Sequence, residues 1–356
     1  MDREEKLKKI ETEIEKLKIE IARKEIKLED LEELRASIEV NGEKAAEPTR
    51  KKPDNIYSGY DDLPRGSASG GIIKGCLVAE GGAFRGVYTA GVMDRLMEEG
   101  INMECTVGVS AGALCGMNYV SGQLGRSARV NLGYRHDGRY VGLRSLREDK
   151  SIVNFRFLFE TFNEIEPFDM DSFRRKDRRY IAVATDMKNG KAAYFERGKC
   201  KGIRRAIKAS ASMPFVTKPT VMDGVPYLDG GCADKVPYEW AMEQGYEKII
   251  VIRTRERGYR KPPMGTGERR AAELFFHQYP EFIETLVTSN DMCNRQFEEV
   301  EKLSDEGKLF LLGPESEVKV GRLEDDMEKL GALYHQGYDE TDAKIPQIRD
   351  YLNSGF

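Results

Sequence analysis

Gly108-Val109-Ser110-Ala111-Gly112 is the stretch of this sequence best equipped for covalent chemistry. The serine lies between two glycines, after the apolar run Cys105 to Val109 and before the small-residue segment Ala111 to Val120. That order fits a strand, a sharp turn and a helix, the setting of a nucleophile elbow. Glycines flank such a serine because neighbouring backbones pass too close for side chains. The Ser110 hydroxyl then sits at a helix N-terminus, where free N–H groups and the positive end of the dipole favour an oxyanion. Taken alone, the pentapeptide also reads as a glycine-rich turn with a capping serine.

Two other stretches bear on that chemistry. Gly81-Gly82-Ala83-Phe84-Arg85-Gly86 follows an apolar strand candidate, Ile72 to Ala79, and precedes a helix-period segment through Met97. A glycine loop so placed clusters backbone N–H groups that can hold a phosphate or a developing oxyanion. Its spacing matches neither Gly-x-Gly-x-x-Gly nor Gly-x-x-x-x-Gly-Lys-[Ser/Thr], which argues against a nucleotide. Val221 to Gly231 reads as a hairpin on Asp223-Gly224 whose second arm ends at Asp229, with Gly230 and Gly231 behind it. Functional aspartates occupy such strand ends, and so do ordinary turn residues.

The elements that must position these groups alternate. Strand candidates at Tyr180 to Thr185, Ala192 to Phe195, Lys248 to Arg253 and Leu309 to Leu312 are interleaved with helices at Ile203 to Ala211 and Pro237 to Gly245, another running on to Leu303 beyond Pro280, and closing helices from Leu323 to Leu352. The fold class is α/β, with a mostly parallel sheet covered on both faces. Phe155, Phe157, Phe159 and Phe162 form an aromatic cluster fit for core packing or for an acyl-pocket wall. Residues 1–39 read as a coiled-coil oligomerisation helix: Leu7, Ile10, Ile14, Leu17, Ile21, Leu28, Leu31 and Ile38 recur at heptad spacing among Glu, Lys and Arg. Residues 40–71 read as a flexible linker and 72–356 as the catalytic domain.

Composition narrows the function. Lys+Arg 57 against Asp+Glu 61 gives a net charge of -4, too balanced for nucleic acid as a partner. The six cysteines are scattered with no Cys-x-x-Cys pair, so reduced thiols in a cytoplasmic protein are expected, with no metal site. The charged N-terminus and the lack of a long apolar run predict a soluble chain.

The loop at Gly81 to Gly86, the elbow at Gly108 to Gly112, the block Ala209-Ser210-Ala211-Ser212-Met213-Pro214 and the doublet Asp229-Gly230 occur in one order. In that combination the chain from Ile72 onward resembles the patatin-like phospholipase family, most closely its bacterial branch. The resemblance implies a three-layer α/β/α sandwich and a serine acyl hydrolase acting on lipid esters without a cofactor. It implies Ser110 as nucleophile, Asp229 as its base, and the N–H groups of Gly82 and Ala83, with Gly81, as oxyanion hole. Arg85, Gly86, Gly108, Gly112 and Gly230 become supporting residues. Ala83 departs from the family loop, which has a third glycine there; a positive φ would strain alanine at that position. The residues themselves also permit a triad, since Ser110, Asp229 and then His277 or His335 follow the α/β-hydrolase order; the resemblance implies the dyad. Acyl transfer from the same acyl-enzyme and a non-catalytic scaffold are the alternative functions. The expected partners are a lipid or acyl ester, a second copy through residues 7–38, and a membrane surface at the aromatic segment Leu274 to Phe282.

Overall fold

The computed structural model describes residues 56–142, 145 and 151–354. The heptad segment lies outside the described residues, as do positions 40–55 of the expected linker. One eight-stranded sheet is built from β1 (Ile72–Ala79), β2 (Asn102–Val109), β3 (Arg179–Asp186), β4 (Ala192–Glu196), β5 (Thr220–Met222), β6 (Val225–Asp229), β7 (Ile249–Ile252) and β8 (Phe310–Leu312). The principal helices are α1 (Gly86–Glu98), α2 (Ala111–Ser121), α3 (Arg126–Tyr134), α4 (Ile203–Ser210), α5 (Tyr238–Glu243), α6 (Thr266–Phe275), α7 (Pro280–Asp305) and α8 (Met327–Asn353).

Strands β8, β7, β1, β2 and β3 run parallel in that order. Their side chains alternate between two apolar layers. Leu77, Ala79, Ala182 and Ile250 face a core with residues of α1, α2, α4 and α8. Cys76, Val78, Val107, Val183 and Val251 face a second core with residues of α5 and α7. A parallel sheet buried on both faces gives nearly continuous hydrophobic strands, which is why these segments were readable. The architecture is the expected α/β/α sandwich.

The antiparallel part of the sheet positions the site. β4 occupies one side of β3 over Ile181 to Thr185. β2 and β6 therefore share the other side, end on end, with Val109 opposite Val183 and Asp229 opposite Ala184. Adjacent positions of one strand thus bring the ends of β2 and β6 together, although 119 residues separate Ser110 from Asp229. The β5–β6 turn has positive φ at Asp223 (49°) and Gly224 (76°), as a type I′ hairpin requires.

Two expectations need correction. Residues 56–71 are mostly exposed but anchored: Leu63 is buried, Ser58 donates to the Glu328 carboxylate at 2.8 Å, and Ala68 N–H donates to the Gly122 carbonyl at 2.7 Å. The linker reading fails there because paired polar groups and one buried leucine fix a segment that has no periodicity. The closing helices are one 27-residue helix that accommodates Pro346, its start capped by Asp326. Between Gly122 and Arg179 the chain forms α3, a π-helical turn at Phe157–Thr161 and short helices at Phe162–Ile165 and Met170–Arg174, none long enough to show a period.

Candidate active site

Ser110 is buried at the junction of β2 and α2 with φ +54° and ψ −121°, a conformation costly for a residue with a side chain. The elbow presses against its neighbours. A Cβ on Gly112 would lie 2.3 Å from the Ala79 carbonyl oxygen, and one on Gly108 would lie 2.6 Å from the Gly112 carbonyl. Only glycine permits that approach. Ser110 N–H donates to Ser210 Oγ at 2.9 Å, a buried partner supplied by the last residue of α4.

Asp229 ends β6. Its Oδ1 accepts from Gly231 N–H at 2.8 Å, its carbonyl accepts from Thr185 Oγ1 at 2.7 Å, and its N–H donates to the Ser212 carbonyl at 2.8 Å. A Cβ on Gly230 would meet the Val183 carbonyl oxygen at 2.2 Å, so the chain can turn against β3 only with glycine. Burial pushes the Asp229 carboxyl above the ordinary carboxylate range. The Ser110 side chain nearby, the Gly231 N–H, and the charges of Lys235 and Arg322 pull it partly back. Lys235 is held 3.9 Å from the buried Glu80, whose other oxygen accepts from Thr254 N–H at 2.8 Å.

The glycine loop leaves β1 over this pair. A Cβ on Gly81 would stand 2.8 Å from the Ser110 Cβ. Phe84 N–H is spent on the Arg322 carbonyl and Arg85 N–H on the Gly82 carbonyl, while Gly81, Gly82 and Ala83 line the cavity beside Ser110. Ala83 has φ +49°, so the alanine does carry the strain that its departure from the glycine pattern raised. Ala83, Ser110, Phe215 and Asp223 are the non-glycine residues with positive φ among the described residues, and the first three border the site. Gly86 is required by contact with Ala111, whose Cβ would lie 2.7 Å from an added Cβ. Arg85 is buried at the start of α1 and lines neither cavity described next, as a structural role requires.

Two cavities meet at Ser110. One, of about 850 Å³, is walled by Phe84, Leu114, Phe155, Leu158, Phe159 and Phe162. Three of the four clustered phenylalanines therefore line a pocket, and Phe157 backs them, stacked on Tyr140 at 5.3 Å. The other cavity, of about 1060 Å³, holds Asp229, Lys235, Lys261, Glu268, Asn290 and Arg322. Ala83, Ser110, Met213 and Leu323 border both. The site thus offers an apolar lobe and a charged lobe on either side of one hydroxyl.

None of the three histidines lines either cavity. His277 is exposed beside the Leu274 carbonyl, His335 packs against the rings of Tyr57 and Tyr334, and His136 Nε2 lies 2.7 Å from the Asp325 carbonyl. In the segment Leu274 to Phe282 only part faces outward: Leu274 is 74% exposed, whereas Phe276 and Phe282 are buried in a satellite core. Among the described residues no group of three His, Cys, Asp or Glu could hold a metal, and no helix is long and apolar enough to cross a membrane. Ser210, Glu80 and Lys235 escaped the sequence reading. The block from Ala209 to Pro214 drew attention as a motif, but nothing in it discloses that Ser210 reaches the Ser110 amide.

Comparison with known proteins places this geometry. The patatin-like phospholipase family model matches residues 77–242, and a domain of unknown function (DUF6363) matches residues 279–353. The uncharacterized protein YjjU of Escherichia coli K12 is 29% identical over 183 residues, half of this chain and 51% of that protein. The uncharacterized NTE family protein Rv1063c of Mycobacterium tuberculosis is 30% identical over 180 residues, 49% of this chain and 46% of its own length. Lysophospholipase NTE1 of Scheffersomyces stipitis is 27% identical over 187 residues, 49% of this chain but 11% of the relative. The chain thus spans about half the length of the first two relatives. The crystal structure of VipD from Legionella pneumophila aligns with 86% of this chain and 72% of that one at a TM-score of 0.42 and 13% identity.

Proposed function

Residues 77–242 are a patatin-like phospholipase domain, and from that premise we propose that the protein is a serine acyl hydrolase of lipid esters working through a Ser110–Asp229 dyad. The observation that carries this reading is the convergence of the Ser110 hydroxyl, the Asp229 carboxylate and the Gly81–Ala83 loop on one cavity.

Asp229 takes the Ser110 proton as Oγ attacks the ester carbonyl, and the N–H groups of Gly82 and Ala83 meet the oxyanion. As the tetrahedral intermediate collapses, the carbon–oxygen bond to the alcohol breaks and Asp229 returns its proton to the leaving oxygen. Water then attacks the acyl-Ser110 ester with Asp229 again as base, releasing the carboxylic acid and restoring the serine. An aspartate at its usual pKa of about 4 is a weak base for this work. Burial, which raises it, makes Asp229 a stronger one. The apolar lobe suits the acyl chain and the charged lobe the alcohol portion.

Turnover of a short-chain p-nitrophenyl ester tests the reading. Ser110→Ala and Asp229→Asn each lower kcat at least a thousandfold in folded protein, while His277→Ala and His335→Ala stay within threefold of wild type. A comparable loss in either histidine variant would move the base to that histidine.

A further inference from the structure

Among the described residues the apolar lobe beside Ser110 has one ionic group in its wall, Arg126 at the start of α3. The residue is 3% exposed. Nη1 donates to Asn118 Oδ1 at 3.1 Å, and Nη2 donates to Asn163 Oδ1 at 2.6 Å and to the Glu166 carbonyl at 3.0 Å. Phe162 and Phe168 stack on the guanidinium at 4.8 Å and 5.2 Å. Every one of those acceptors is neutral. The Glu166 carboxylate, whose charge does reach Arg126, is engaged by Nε and Nη2 of Arg129. The Arg126 Nε–H has no acceptor among the described residues. A buried guanidinium N–H without an acceptor is costly, and a carboxylate is the partner that would satisfy both its geometry and its charge.

Position gives this group a use. Asn118, to which Arg126 is tied, stands eight residues beyond Ser110 on α2. At the helical rise that is about 12 Å from the nucleophile, a span on the order of ten carbon–carbon bonds. An acyl chain attached to Ser110 and laid along α2 therefore carries its far end to Arg126. Resting on the hydrolase reading above, we propose that this lobe selects medium-length acyl chains ending in a carboxylate, half-esters of dicarboxylic acids, with the Arg126 Nε–H as the group that receives the far end. Chains of that length ending in a methyl leave the buried N–H unmatched and are the poorer substrates.

The test uses the full chain and pairs of p-nitrophenyl esters of equal carbon number, one ending in methyl and one in carboxylate, over a series of lengths. Wild type is expected to give a sharp kcat/KM optimum for the carboxylate-ended series at medium length, at least tenfold above its methyl-ended counterpart. Arg126→Met and Arg126→Lys should remove that ratio, tenfold or more, with the melting profile confirming that each variant folds. Equal or better turnover of the methyl-ended ester at every length would overturn the proposal. So would a loss of equal factor on both series in a folded Arg126 variant, the result expected if a water molecule satisfies Nε. Where the variants do not fold, the wild-type length series decides. Titration calorimetry of Ser110→Ala with the monomethyl ester of a dicarboxylic acid, against the methyl ester of the matching monocarboxylic acid, reads the subsite without turnover. Preferential binding of the first by Ser110→Ala, with wild type hydrolysing neither ester, would retain the subsite and reject the hydrolase reading. Active enzyme with no such preference would do the reverse.

Discussion

At Asp229 two demands oppose each other. The carboxylate must be close to Ser110 and shielded from water, and that burial raises its pKa. As the proposed base it acts only when ionised, so kcat/KM is expected to fall as pH drops through the folded-state pKa, above the ordinary aspartate value of about 4. The same shift affects stability. The native state binds the proton more tightly than the unfolded chain, so this group's contribution weakens as pH rises from about 4 to the folded pKa. Asp229→Asn is thus expected to abolish turnover while raising the melting temperature at pH 8, by an amount that shrinks toward pH 4. Thermal melts of both proteins across that range check the sign; an unchanged difference at every pH would contradict it. Ser110 and Ala83 show the same compromise in backbone form, since both hold positive φ where they border the site.

At the scale of elements, the proposed reacting pair depends on β3, which places β2 and β6 end to end. α8 packs on α1 at reciprocal glycines. A Cβ on Gly337 would lie 2.3 Å from the Tyr88 carbonyl oxygen, and one on Gly91 would lie 2.1 Å from that of Tyr334. Gly337→Ala gains about 1 kcal/mol of helix propensity but forces the helices apart at a cost of roughly 1–3 kcal/mol. A net loss is expected, read as a lower urea midpoint; an unchanged or higher midpoint would show that the crossing tolerates the methyl. Strands buried on both faces were legible because they are unbroken apolar runs, and the elbow because glycine must flank it. The segment from Arg126 to Arg174 was not, because its elements are short and its phenylalanines are divided between a cavity wall and the core. Ser210 and Arg126 were illegible for another reason: Ser210 matters through one hydrogen bond to a residue 100 positions away, and Arg126 through its burial in the wall of the apolar lobe, which no local pattern encodes.

For the whole molecule, described residues form an apolar core on each face of the sheet. The heptads at Leu7 to Ile38 are proposed to serve association. Light scattering should find an oligomer for the 356-residue chain and a monomer for a chain starting at Ile56, with equal specific activity on a soluble ester. A monomeric full-length chain would remove the coiled-coil reading and leave the site untouched. The domain is thus expected to work alone on soluble esters.

Labelling with a fluorophosphonate probe tests the central claim most directly, because the probe requires a serine made nucleophilic by its surroundings. One adduct is predicted, mapped by mass spectrometry to the peptide containing Ser110, absent in Ser110→Ala and at least a hundredfold slower to form in Asp229→Asn. Folded wild-type protein that fails to react, or that reacts equally fast without the Asp229 carboxylate, would contradict the account.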